Sequence, residues 1–159
     1  MSAGCFIDGA WMAIAATFEV TDPANGDVVG VAADAGPEVA SAAIGAAHRA
    51  FGEWADRTAQ DRAEVIRRIS DELLTGLDHI ADIIVSEQGK SRAQAVFEVR
   101  YATQWLGWFA EEGRRSYGEV IPTHIPGKRL VVQQKPLGVA VAITPWNFPV
   151  AMIARKLAP

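Results

Sequence analysis

The sequence is poor in cysteine, in long apolar runs and in any excess of positive charge, and each shortage removes a class of explanation. Cys5 is the single cysteine among 159 residues, so no internal disulfide can form and a reducing compartment fits. With no base near it in sequence, Cys5 is not expected to act as a nucleophile. No stretch stays apolar over the roughly 20 residues that a bilayer crossing requires, and the N-terminus lacks a basic region followed by a signal-type core. A net charge of −4 and a pI near 5.3 provide no basic patch for nucleic acid or for an anionic membrane. A small-molecule partner is the expectation, in a cytoplasmic protein. Neither internal repeats nor low-complexity linkers occur. At 17.1 kDa and 50% hydrophobic residues, the chain suffices for one ordinary domain with a sizeable core.

Taken in order, residues 1–31 read as short β elements. Asp8-Gly9 is a hairpin signal between Phe6-Ile7 and the run 11–16, and Asn25-Gly26 supplies a second turn before Val28-Val29. The middle of the chain is helical. Gly36-Pro37 opens a first helix whose buried face is expected at Ala40, Ala43, Ala47, Phe51 and Trp54. Thr58 and Asp61 have the spacing of a capping box, starting a second helix with the stripe Val65, Ile69 and Leu73. A third helix covers 77–86 with Gly89 as its C-terminal cap. Ser91 and Gln94 then start the longest helix, with Ala95, Val99, Ala102, Leu106, Phe109 and Gly113 three or four residues apart. Glu87, Gln88, Gly89 and Lys90 read as a solvated helix end, because lysine favours helix C-termini. Trp105, Trp108 and Phe109 read as core aromatics. From 119 to 136, Pro122, Pro126 and Gly127 interrupt the chain, and 130–135 reads as a strand ended by Pro136. With no sheet of its own, such a strand is an exposed edge that must be paired away.

The chemistry is concentrated at the other end. Residues 139–143 form an uncharged apolar run, the pattern of a strand buried on both faces of a parallel sheet. Pro145 and Pro149 bracket Trp146, Asn147 and Phe148 in a constrained turn, and Val150, Ile153, Ala154 and Leu157 then recur at helical spacing. Strand, rigid turn and helix make the unit that α/β proteins place at the carboxyl edge of the sheet, where cofactors bind. Asn147 reads either as a turn former or as an amide that donates to a developing oxyanion.

The string Ile143, Thr144, Pro145, Trp146, Asn147, Phe148, Pro149, following Pro136, Leu137, Gly138 and Val139, resembles the cofactor-loop motif of the aldehyde dehydrogenase superfamily, and the resemblance runs from Phe6 to Pro159. Within it, the segments 108–113, 117–118, 128–132 and 151–156 are most similar to the succinate-semialdehyde dehydrogenases. The resemblance implies an α/β fold: the N-terminal portion of that family's architecture, in which helices and part of a Rossmann-like dinucleotide-binding domain carry a β oligomerisation arm. It implies hairpins and helices of the cofactor-binding domain over 1–118 and the arm, which reaches a neighbouring subunit, over 119–136. The first strand, cofactor loop and helix start of an incomplete sheet follow over 137–159. Ile143, Thr144, Pro145 and Trp146 match cofactor contacts, for NAD or NADP, and Lys156 matches a lysine near the cofactor or active site, or is plain surface. Asn147 matches the oxyanion-hole amide. Arg155 matches the arginine that holds a substrate carboxylate, a task suited to its bidentate fork, or is a solvated helix residue. Trp108 or Phe109 would line the aldehyde tunnel. No metal is implied.

The reaction of such enzymes needs a cysteine nucleophile, hydride transfer to NAD(P) and a glutamate base that activates water. Those motifs lie beyond Pro159. The chain is therefore expected to be a truncated piece of an NAD(P)-dependent aldehyde dehydrogenase, inactive alone, homo-oligomeric at full length and acting on a small aldehyde, succinate semialdehyde first. An aldehyde dehydrogenase of other substrate range is the alternative within that class. Outside it stands a non-catalytic interaction module built on 119–136.

Overall fold

The computed structural model describes residues 4–159 and shows a mixed α/β chain in which strands occur only as local hairpins and helices form the core. Strands β1 (Gly4–Ile7) and β2 (Ala10–Ala13) pair antiparallel. Asp8 and Gly9 between them both adopt positive φ, 55° and 77°, as the primed two-residue turn requires. Cys5 lies within β1 opposite Met12, half-buried in the strand. The run 11–16, expected as one strand, ends at Ala13, and β3 (Thr17–Thr21) begins a second hairpin with β4 (Val28–Ala33) around Asn25 and Gly26.

Four helices follow: α1 (Pro37–Asp56), α2 (Ala59–Thr75), α3 (Leu77–Gln88) and α4 (Arg92–Glu112). Their ends obey the caps written in the sequence. Thr58 and Asp61 form a reciprocal capping box, Ser91 Oγ accepts from the Gln94 N–H at 3.3 Å, and Gly89 closes α3 in the left-handed region at φ 67°. Short α5 (Pro149–Leu157) ends the chain. The core is built largely of alanine: Ala102 and Leu106 of α4 meet Ala151, Ala154 and Ala158, while Ala95 and Val99 meet Ala81 and Ile84 of α3. Small side chains let α5 and α3 approach α4 closely, so one long helix carries both contacts.

Several expected faces are displaced in part. On α5 the buried positions are Ala151 and Ala154, with Ala158 just beyond, whereas Ile153 and Leu157 are exposed. On α2 Ala63 is buried, Ile66 packs against the core beside Leu73, and Ile69 is exposed. On α1 Ala46 is buried, with Ala43 and Phe51 half-buried, while Ala40, Ala47 and Trp54 are exposed. On α5, periodicity weighted by bulk selects the greasier stripe, whereas packing on α4 selects the alanines.

The region 119–136 is a hairpin and not a lone strand. Residues Glu119–Ile121 (β5) pair antiparallel with Leu130–Val132 (β6), and both strands are exposed along their length. The run 139–143 departs further from expectation. It pairs with no strand among the described residues, and Val141 and Ile143 are 69% and 84% exposed. Hydrophobicity marks a segment as fit for burial between neighbours; it does not supply the neighbours, and every described strand here is engaged in its own hairpin.

Two predictions follow from the packing. A Cβ on Gly89 would lie 3.0 Å from Pro23 Cγ in a backbone region that side chains rarely adopt. Gly89→Ala should lower the midpoint of urea denaturation, at a cost of about 1–2 kcal/mol; an unchanged midpoint would show that the α3 end relaxes freely. Between α2 and α4, the Arg67 guanidinium bonds Glu111 and holds its carboxyl below the ordinary range, against a smaller opposing push from desolvation. A lowered carboxyl contributes stability above its unfolded pKa and loses it as pH falls through the folded value, though exposure keeps the effect small here. In Arg67→Met, NMR titration should find Glu111 closer to an ordinary glutamate.

Candidate functional site

The turn between the apolar run and α5 is shaped from the helical side. Glu98, on the buried face of α4, is 0% exposed. Its Oε1 accepts from the backbone N–H groups of Val150 at 2.9 Å and Ala151 at 3.3 Å. A carboxylate from one helix thus caps the N-terminus of another, satisfying two donors that α5 cannot satisfy itself and meeting the positive end of its dipole. Pro149 at the first helical position has no N–H to satisfy, and the Met152 N–H closes the first turn on the Phe148 carbonyl at 2.9 Å.

The other Glu98 oxygen accepts from Lys90 Nζ at 2.5 Å. Lys90 therefore lies within a network and is no solvated cap, contrary to what its place at a helix end suggested. The same Nζ donates to the Asn147 carbonyl at 2.6 Å and lies 4.0 Å from the centroid of the Phe148 ring. Two residues before Lys90, the Gln88 side-chain amide donates to the Trp146 carbonyl. The segment reading as a bland helix end grips two consecutive peptides of the turn.

Because both grips fall on backbone oxygens, the side chains of the turn are left free. Ile143, Pro145, Trp146 and Asn147 are exposed, with Ile143 84% and Trp146 82% exposed, and Thr144 is half-buried. Arg155 and Lys156 are exposed on the last turn of α5. The Arg155 guanidinium stacks 4.9 Å from the centroid of the Trp105 ring. Trp105 itself belongs to a ladder along α4, with Phe97, Tyr101, Trp105 and Phe109 touching in succession at ring separations of 5.9, 5.9 and 6.2 Å. Phe109 is half-buried, whereas Trp108 is exposed and points away from a core role. The structure thus brings 143–147 together on one turn and sets Arg155 and Lys156 on the helix that the turn opens.

The sequence model of the aldehyde dehydrogenase family matches residues 11–159. The chain belongs to the aldehyde dehydrogenase family. It is 44% identical over 155 residues to an NADP(+)-linked succinate-semialdehyde dehydrogenase of Escherichia coli (strain K12), covering 96% of this chain and 32% of that protein. It is also 45% identical over 156 residues to a 3-sulfolactaldehyde dehydrogenase of Pseudomonas putida, covering 97% and 32%. The crystal structure of a succinate-semialdehyde dehydrogenase from Burkholderia pseudomallei superposes with a TM-score of 0.96 at 44% identity, over 99% of this chain and 33% of that one. This aldehyde dehydrogenase chain therefore spans about a third of the length of the relatives it matches.

Sequence reasoning missed Glu98 and misread Lys90. A signal for Glu98 was present: a single carboxylate lies in the stripe Ala95, Val99, Ala102, where every other member is apolar. Replacing Glu98 by Leu should destabilise the fold by about 3–5 kcal/mol, because it strands a partly buried ammonium and two helix N–H groups. Chemical denaturation would measure it, and a loss near zero would mean that water replaces the carboxylate.

Proposed function

We propose that this chain is the N-terminal third of an NAD(P)-dependent aldehyde dehydrogenase acting on a small aldehyde with an anionic tail, succinate semialdehyde first, in the cytoplasm. The observation that carries the reading is the turn at 146–147, clamped through its carbonyls so that the Asn147 amide is free to meet a ligand. In this reading that amide donates to the oxygen of the aldehyde as it becomes an alkoxide. The nucleophile and the base come from sequence outside these 159 residues.

The cofactor side rests on the same turn. Ile143 and Trp146 expose apolar surface at and just before a turn held through its carbonyls, which suits the rings and sugars of a dinucleotide. Ile143, Thr144, Pro145, Trp146 and Lys156 would hold NAD or NADP, which accepts the hydride when bound. The segment 137–159 would open the dinucleotide-binding sheet, with 139–143 as its first strand, after hairpins and helices over 1–118. The exposed hairpin in 119–136 would be the arm of a homo-oligomer.

Arg155 would bind the anionic tail. The substrates named for the succinate-semialdehyde and 3-sulfolactaldehyde relatives bear a carboxylate or a sulfonate, and a guanidinium stacked on one face by Trp105 is suited to either. In the full-length enzyme, Asn147→Ala should lower kcat about 10²–10³-fold. Arg155→Ala should lower kcat/KM for succinate semialdehyde roughly 10- to 100-fold, the worth of a charged hydrogen bond, and spare an uncharged aldehyde of similar length. Equal losses on both aldehydes would remove Arg155 from the tail site.

A further inference from the structure

Lys90 lies outside every role assigned so far, yet it is the group in closest polar contact with the Asn147 peptide. Its Nζ is held between the buried Glu98 carboxylate at 2.5 Å and the Asn147 carbonyl at 2.6 Å, against the Phe148 ring. Glu98 is in turn fixed by the amides of Val150 and Ala151. The ammonium therefore has little freedom, and neither has the peptide it holds.

We infer that Lys90 is a positioning residue for the reaction: locked by Glu98, it sets the orientation of the Asn147 peptide and thereby aims the Asn147 amide. The inference rests on the proposed oxyanion role of Asn147. Three features support it. Lys90 bonds the backbone and not the side chain of Asn147, so the amide stays available. Its partner Glu98 is wholly buried, which gives the grip a fixed anchor that a surface ion pair lacks. The anchor also caps α5, so carbonyl 147 and the helix start are referred to one carboxylate. A preorganised donor loses its effect when it is displaced by about 1 Å, at a cost that reaches 10²-fold.

The neighbouring grip provides an internal comparison. Gln88 holds the Trp146 carbonyl, one peptide upstream and on the side of the cofactor contacts. Loss of Gln88 should act on the KM for NAD(P), and loss of Lys90 on kcat.

The test is a double-mutant cycle in the full-length enzyme. Lys90→Met should lower kcat on the order of 10- to 100-fold, with Lys90→Arg recovering part of the loss through a charge of the same sign. In the Asn147→Ala background the same Lys90→Met change should alter kcat less than about threefold, because the amide it aims is gone. Full additivity of the two changes, with Asn147→Ala itself strongly impaired, overturns the positioning role and leaves the oxyanion reading intact. An unimpaired Asn147→Ala overturns both. Should Lys90→Met fail to fold, the milder Gln88→Met decides: a raised KM for NAD(P) at unchanged kcat supports separate control of the two peptides, and a fall in kcat that matches the whole Lys90 expectation overturns it.

Discussion

A charge buried without water must be met by charges and donors brought to it, and Glu98 imposes that constraint on this chain. Its carboxylate is placed by α4, the helix against which α2, α3 and α5 pack, and three partners come from elsewhere: the Lys90 ammonium and the first two available amides of α5. A buried ion pair is weak evidence of net stability, since desolvation offsets the attraction. What it does supply is uniqueness of position. Sliding or rotating α5 on its alanine face would strand the carboxylate, so this buried polar contact in a largely apolar seam fixes the register that alanine packing alone would leave loose.

The elements on either side follow from that register. Alanines at 102, 151, 154 and 158 allow the close approach that brings the α5 amides within reach of a short carboxylate stem. The left-handed turn at Gly89 directs the chain from α3 to α4 and delivers Lys90 beside the start of α4, facing the same carboxylate. The turn at 146–147 is then pinned by residues more than fifty positions away in sequence. Its rigidity is a tertiary property. Pro145 and Pro149 narrow the choices, and the helical block makes the selection.

Features that depend on neighbours in sequence were legible before the structure: the Thr58 and Asp61 capping box, the Asp8-Gly9 and Asn25-Gly26 turns, Gly89 at the end of α3 and Pro149 at the start of α5. The string from Ile143 to Pro149 also located the turn. Features that depend on distant partners were not legible. Lys90 and Gln88 carry nothing local to distinguish a clamp from a solvated helix end; Glu98 stands out as a carboxylate in an apolar stripe, but its partners depend on what packs over it. The face of α5 shifted because bulk and burial part company where alanines mediate contact, as the exposed Ile153 and the buried Ala154 show on adjacent positions. The run 139–143 was apolar enough for a buried strand, but pairing belongs to other strands.

The division of labour in the clamped turn bears on how such a site can change over generations. Gln88 and Lys90 hold carbonyl oxygens, which every amino acid possesses, so the shape of the turn does not depend on which side chains occupy positions 146 and 147. Replacement there alters what the surface offers a ligand while the scaffold keeps its form. Conversely, drift at 88, 90 or 98 would disturb the geometry of the turn without altering its exposed side chains. Novelty in recognition and fidelity of shape are thus written at separate addresses, and selection can act on one with little penalty to the other.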